Sequence, residues 1–410
     1  MLKEIKSNYV VLIFFLILIF YFFIKTFFWN FGYNQGVPGL FIHGDGYYNT
    51  AKCFVSNTCY LNLESFRIMQ FLYPMYLTPI FYFNLNESIY IFFLHHFLTS
   101  LTLIFIFFSS KLLHSSNLGL LSSLIYASQL QISYWFNFTL ADIAFHTHLS
   151  LFMFFFILFF KYNYKIYFFL TLISSLLLYF VRPEGILVFI FFLIYYIFSY
   201  LILFFNKKFF YLIFISIIIF FCILFILAFN NNAFKNKIMS NTHVGWGLYY
   251  GSQETKNSAN EVNNMLNEMF NTCNQKSLND PKGKNEWWWC SKLGLDRIKS
   301  DPIKYLYLVS KRVPSVLYPG FYREGVSLKY LIISSFFMTY IILGIFFLFI
   351  FKNKNNKISF GLILSVIPIY FLVIFYMDEW DVRYQLSPQV ILITVSSMGF
   401  INLLKKIKSN

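Results

Sequence analysis

Residues 166–205 read IYFFLTLISSLLLYFVRPEGILVFIFFLIYYIFSYLILFF. Two apolar runs, 166–181 and 186–205, flank the joint Arg182-Pro183-Glu184-Gly185. A helix that crosses hydrocarbon needs about twenty apolar residues, because a rise of about 1.5 Å per residue must cover about 30 Å. Its backbone polar groups must also be satisfied within the segment, which an α-helix achieves. The two runs therefore predict a pair of spanning helices joined by a short polar turn. Similar runs recur at 9–29, 88–110, 117–136, 140–160, 210–230, 327–351, 358–377 and 387–404. The chain has 410 residues, 58% hydrophobic and 12% charged, with 58 phenylalanines. This excludes a soluble globular domain and a disordered chain. The expected fold class is an all-α polytopic membrane protein of about ten transmembrane helices. The run at 9–29 is read as a retained helix rather than a signal peptide, since it is long enough to span and no small-residue cleavage pattern follows it.

The +15 net charge would suit a nucleic-acid partner, but the positions of the lysines explain it better. With the N-terminus inside, the inner joints carry Lys3, Lys6, Lys111, Lys161, Lys165, Lys207, Lys208, Lys352, Lys354, Lys357, Lys405, Lys406 and Lys408. That obeys the positive-inside rule. Of the 17 acidic residues, Glu4 alone falls on the inner side. The expectation is a multi-pass protein of the cell membrane with its polar chemistry on the extracytoplasmic face and no nucleic-acid partner.

Three parts follow from this topology. Residues 1–230 form an N-terminal transmembrane module whose first outer loop is 30–87. Residues 231–326 form a second outer loop or small subdomain, and 327–410 form a C-terminal transmembrane module. Within the first loop, residues 66–83 predict interfacial helices interrupted by Pro74 and Pro79. Cys53, Cys59, Cys273 and Cys290 lie outside and Cys222 lies in a span. Four outer cysteines allow three pairings, Cys53–Cys59 with Cys273–Cys290 among them.

Polar residues from distant joints fall at one membrane level. Asp45 sits in His43-Gly44-Asp45-Gly46-Tyr47-Tyr48 after the first span. Asp142 and His146 are one helical turn apart at the start of the fourth. Arg182 and Glu184 separate the fifth and sixth spans, and Asp378, Glu379, Asp381, Arg383 and Tyr384 separate the ninth and tenth. A buried unpaired charge costs several kcal/mol, so such groups need water, a counter-ion or a chemical role. A carboxylate can act as general base on an acceptor hydroxyl, and arginines can hold a departing phosphate. Each residue also has a plainer reading. Asp45 suits a turn, Arg182 suits a snorkelling cation, and Asp142 suits an ion pair with His146. His146 and His148 suit structural positions, and Trp287-Trp288-Trp289 suits an interface anchor as well as a sugar platform.

On these residues the chain resembles the multispanning GT-C superfamily of glycosyltransferases that use lipid-phosphate sugars, which includes protein O-mannosyltransferases and aminoarabinose transferases. The resemblance rests on Asp45 with Tyr48 and Ala51, on Asp142, on Arg182-Pro183-Glu184-Gly185, on the glycine-rich stretch 245–252, and on Arg383-Tyr384 preceding Pro388. The acidic pair common in that family is here Asp45-Gly46. The resemblance implies a GT-C-like fold with extracytoplasmic loop helices. It also implies catalytic roles for Asp45, Asp142 and Glu184, and donor-phosphate contacts for Arg182, Arg383 and Tyr384. Substrate contacts are implied for His43, Tyr48, His243 and Tyr249. The implied partners are a polyprenyl-phosphate-linked sugar donor, an extracytoplasmic glycan, lipid or protein acceptor, and the bilayer. Metal dependence varies across the superfamily. Asp45, Asp142 and Glu184 are the set that would hold a divalent cation, and nothing in the sequence requires one. Two other readings of the same pattern are a polysaccharide polymerase or ligase using a lipid-diphosphate donor, and a multispanning transporter or flippase.

Overall fold

The computed structural model describes residues 2–34, 46–56, 70–129, 140–204, 242–253, 259–317, 328–351, 356–376 and 386–409. Among these, regular structure is helical and no strand occurs. The helices are α1 (Leu2–Asn34), α2 (Tyr47–Ser56), α3 (Leu72–Tyr82), α4 (Glu87–Leu113) and α5 (Ser116–Ala127). Next come α6 (Asp142–Tyr162), α7 (Lys165–Val181), α8 (Gly185–Phe204), α9 (Thr242–Gly251) and α10 (Ala259–Leu278). The last are α11 (Glu286–Ser300), α12 (Pro302–Leu317), α13 (Leu328–Ile350), α14 (Asn356–Tyr376) and α15 (Gln389–Ser409). Three helices are long and apolar enough to cross a membrane, within Glu87–Leu113, Asp142–Tyr162 and Gln389–Lys408. Apolar stretches of α1, α7, α8, α13 and α14 are shorter over their described residues.

The helices follow the expected spans with two differences. The run at 117–136 is helical as α5 only to Ala127, where Ser128 caps the helix. Twelve residues cover about 18 Å, so α5 as described is shorter than the hydrocarbon layer. The run at 210–230 lies outside the described residues. In the first outer loop, α3 continues through Pro79 instead of stopping there. Pro79 has no N–H for the carbonyl of Met75, and the hydroxyl of Thr78 donates to that carbonyl at 2.8 Å. Pro74 lies in the first turn, where a missing N–H is tolerated.

The chain divides into two compact units. The first contains residues 1–193, 337–368 and 386–410. Its centre is α6, against which α4, α7 and α15 pack. Apolar surface decides which faces turn inward. In α1, Phe14, Ile17 and Tyr21 are buried at helical spacing, whereas Phe15, Leu16, Ile19, Phe20 and Phe23 are exposed in the manner of a lipid-facing helix. Several polar groups in the apolar helices bond to backbone or to each other. Thr147 of α6 meets Thr102 of α4 at 3.0 Å, and Thr99 donates to the carbonyl of His95 at 2.6 Å. Near the other end of the chain, a Cβ on Gly399 of α15 would collide with the backbone of Gly344 in α13, so this crossing requires glycine.

The lysine-bearing ends of these helices gather together. Lys161, in the last turn of α6, donates to the carbonyl of Leu112 at 2.8 Å, completing a carbonyl that α4 leaves unpaired. Lys405 of α15 lies 2.6 Å from Nε2 of His114, which follows α4. Asp142 opens α6 and Lys161 nearly closes its 21 residues, so the two lie about 29 Å apart. The cationic end and the acidic end of this unit are therefore opposite.

The second unit contains residues 194–336 and 369–385. Its described core joins Tyr249, Tyr250, Met269, Cys273 and Cys290, with Trp287 and Leu293 packed on them. Cys273 of α10 and Cys290 of α11 form a disulfide, as one of the three possible pairings requires. Cys53 is also disulfide-bonded, and Cys59 lies outside the described residues. Between α10 and α11, the Asp280 carboxylate accepts from the N–H groups of Lys282 and Lys284 at 2.9 and 3.1 Å. Asn285 then caps α11 by accepting from Trp288 N–H at 2.9 Å.

Two outcomes follow. Burial, and then the neighbouring Lys405 cation, lower the His114 pKa below 6.5. The unfolded chain therefore binds the proton more readily, and the contact's contribution is complete above pH 6.5 and lost as pH falls below it. Thermal melts from pH 7.5 down to 5 should show this loss, and His114→Gln should flatten it. Opening the Cys273–Cys290 bridge should destabilise the second unit by about 3 kcal/mol, the value expected for a loop of this size, seen as faster proteolysis between α10 and α11 under reductant.

Candidate active site

The sequence sets apart Arg182 because Pro183 follows it. A residue before proline is driven from the helical region, and Arg182 adopts φ −148°, ψ 145° as it ends α7. Its N–H still donates to Leu178, and Gly185 N–H donates back to the Arg182 carbonyl at 3.0 Å. This tight turn puts Arg182 and Glu184 side by side against the first turn of α6. The guanidinium contacts the Asp142 carboxylate through Nη1. Its Nη2 lies 2.7 Å from Oε1 of Glu184. All three residues are buried, with 6% or less of their surface exposed. The guanidinium also lies 5.8 Å from the centre of the Phe145 ring.

Two carboxylates share one guanidinium, so this trio carries one excess negative charge. The second oxygen of Glu184, Oε2, is buried and has no hydrogen-bond partner among the described residues. A buried carboxylate oxygen in that condition is poised to accept a hydrogen bond from an incoming hydroxyl or amine. Asp142 pairs with Arg182, and the plainer reading that it pairs with His146 does not hold. His146 instead meets the hydroxyl of Tyr126 through Nδ1 at 2.9 Å.

Around the trio lies a buried set of phenol–imidazole contacts. Tyr76 of α3 reaches Nε2 of His148 at 3.1 Å. Nδ1 of His148 is 2.8 Å from the Ala144 carbonyl and must donate to it, so Nε2 of the neutral ring accepts from Tyr76. Tyr73 of α3 meets Nε2 of His95 at 2.9 Å. The Tyr73 ring lies edge-on to Tyr47 at 5.3 Å. Burial, then Tyr47, then the charge on Asp142 push the Tyr73 phenol well above its ordinary range, so it remains a hydrogen-bond donor. The first outer loop thus brings Tyr47 and Tyr73 into the electrostatic neighbourhood of Asp142.

Among the sequence-predicted residues, Asp142, Arg182 and Glu184 come together. Tyr48 is buried nearby on α2, where its hydroxyl donates to the Glu87 carboxylate and its ring packs on Phe81 at 4.9 Å. Tyr249 belongs to the second unit. There Arg297 lies 4.9 Å over its ring, and Gly294 of α11 crosses the backbone of Leu248 too closely to admit a Cβ. The glycine-rich stretch is thus a helix built for close crossing. His243 starts this helix, and its side chain is not described. His43, Asp45, Arg383 and Tyr384 lie outside the described residues. Gly46, which follows Asp45, has φ 77°, a left-handed conformation that disfavours a side chain. An acid at 46 would be strained, which gives a local reason for the missing second acid.

The sequence reading missed Tyr47, Tyr73, Tyr76, His95 and Tyr126. The pair His95-His96 inside an otherwise apolar run was a signal for one of them. The tyrosines carried none, because 31 tyrosines are spread along the chain. Trp288 and Trp289 do not present bare faces to a sugar. Lys284 lies 5.5 Å over Trp288, and Lys292 lies 4.8 Å over Trp289. Among the described residues, no three His, Cys, Asp or Glu side chains are grouped as ligands for a metal ion.

No protein-family model matches the chain, and no curated protein matches it.

Removing one member of a buried ion pair strands the others. Arg182→Met should therefore destabilise the protein by about 3–5 kcal/mol. Combining it with Asp142→Asn and Glu184→Gln should restore much of that loss, measured by thermal unfolding in detergent.

Proposed function

We propose that this protein is an integral membrane glycosyltransferase with a GT-C-like fold. In this reading it moves a sugar from a polyprenyl-phosphate carrier to a glycan, lipid or protein acceptor on the extracytoplasmic face of the cell membrane. The observation that carries the proposal is the buried Asp142–Arg182–Glu184 trio. It lies at the end of α6 opposite the lysines, where the charge on Asp142 acts on the phenol of Tyr73 from the outer loop. The lysines mark the cytoplasmic end by the positive-inside rule, which makes the acidic end extracytoplasmic.

The reaction assigns one job to each group. The acceptor hydroxyl oxygen attacks the anomeric carbon, and its proton passes to the carboxylate of Asp45. The bond from the anomeric carbon to the phosphate oxygen breaks, and the phosphate leaves with the electron pair on its lipid. Attack opposite the leaving group inverts the anomeric centre. Arg182 neutralises the departing phosphate, and a guanidinium suits that because it presents paired N–H donors. Arg182 already holds two carboxylates, so phosphate engages it by displacing one of them. Glu184 is the one to yield, since its Oε2 has no partner among the described residues and can then accept from a second, non-attacking hydroxyl of the acceptor. Asp142 keeps Arg182 in place throughout. His43 and Tyr48 are assigned to substrate contacts.

Phenol–imidazole contacts and hydroxyls bonded to helix carbonyls favour a packed transferase bundle over a transport path. Thr102, Thr147 and Ser150 each donate to a carbonyl within their own helix. The decisive measurement compares lipid-linked products, resolved by mass, from membranes carrying the wild-type protein or Asp45→Asn. Loss of the base should slow transfer about 10²–10⁴-fold. An Asp45→Asn protein that reaches the membrane intact and transfers sugar at the wild-type rate would remove Asp45 from the reaction.

A further inference from the structure

We infer that α12 lies in the plane of a lipid bilayer, with its outward apolar face sunk among the headgroups. This is independent of the sugar-transfer reading. Helix α12 is anchored to its own unit by one side. Leu308 and Val309 are buried, and the nearly inaccessible Arg312 donates to the carbonyl of Gly251 at the end of α9. These contacts fix the rotation of the helix about its axis. The opposite side then carries Ile303, Leu306, Tyr307 and Val313, which are 80%, 58%, 56% and 37% exposed. Leu306, Tyr307 and Val313 lie three, four and ten residues from Ile303 and share its face, with the small Ser310 between Tyr307 and Val313. A helix apolar on both sides, one packed and one bare, has a second apolar phase to satisfy.

Charge at the edge of the stripe identifies the occupant as lipid. Lys304 and Lys311, seven residues apart, share one flank of the bare face, where long side chains reach from an apolar surface to phosphates. Lys311 already leans over the Tyr307 ring, 4.5 Å from its centre. Chain continuity supplies the proximity. Residues 318–327 alone separate α12 from α13, and ten residues reach at most about 35 Å. The helix that follows, α13, has an apolar composition over its 23 residues, with an apolar stretch at Ser335–Ile350. A tethered amphipathic helix with a basic edge is suited to the bilayer interface. Lys304 also lines a cavity of about 460 Å³ in which polar groups such as Gln253, Arg297 and Asp301 are mixed with Ile298, Tyr305 and Leu308.

The test uses the full chain in nanodiscs of phosphatidylcholine and phosphatidylglycerol. A photoreactive benzoyl-phenylalanine is placed in turn at Ile303, Leu306 and Tyr307, with Lys282 in the α10–α11 turn as the aqueous control. Phospholipid adducts at the three stripe positions should exceed those at Lys282 by at least about tenfold, the ratio expected when burying one large side chain favours the bilayer over water. Lipid adducts no more abundant than at Lys282 would overturn the inference. Adducts to a second copy of the chain in place of lipid would overturn it as well, by naming a protein as the occupant. Neither result would bear on whether Asp45→Asn abolishes transfer.

Discussion

The contact between Arg182 and its two carboxylates is the constraint on which the first unit depends. A guanidinium removed from water must be met by anions or be expelled, and here the anions come from two separate places in the chain. Glu184 is supplied locally by the proline turn. Asp142 is supplied by α6, the helix on which α4, α7 and α15 pack. The pair therefore couples the α7–α8 joint to the centre of the bundle. It does so at the end of α6 remote from Lys161, so one unit carries its acids and its lysines at opposite ends.

This arrangement divides the work between rigid and responsive parts. Asp142 is held at the start of a buried helix, and its neighbours His146 and His148 are already committed to Tyr126 and Tyr76. Glu184 sits on a turn and keeps one oxygen without a partner among the described residues. A site of this construction can exchange one carboxylate for a substrate anion without unpacking the helix that holds the other. The loop helices α2 and α3 contribute aromatic side chains around it, and the Thr78 hydroxyl lets α3 run through Pro79 so that Tyr73 and Tyr76 share one helix.

The second unit is built on a different principle. Its described core is small and mixed, and it is strengthened by the Cys273–Cys290 bridge and by glycine crossings at Gly245 and Gly294. One side of α12 is packed on this unit and the other is exposed. The bilayer offers the missing apolar contact at no cost in core size.

Much was legible from the residues alone. Apolar run length located α4, α6, α7, α8, α13, α14 and α15 to within a few residues, because hydrocarbon thickness imposes a length that composition records. The Arg182-Pro183-Glu184-Gly185 joint was legible as a polar turn for the same reason. Pairing was not. Asp142 had a candidate partner one turn away in His146, and only the packing of α7 on α6 brought Arg182 closer. Tyr73 and His95 are 22 residues apart and their contact depends on how α3 lies on α4, which no local spacing encodes. Gly245 reads as a loop or site residue, whereas in the fold it admits the backbone of Trp287, since a glycine's role is set by the backbone that approaches it. Sequence by itself determined which segments must avoid water. Tertiary structure alone decided which polar groups meet once they have, because hydrophobic burial is indifferent to direction whereas ion pairs and hydrogen bonds require particular atoms within about 3 Å.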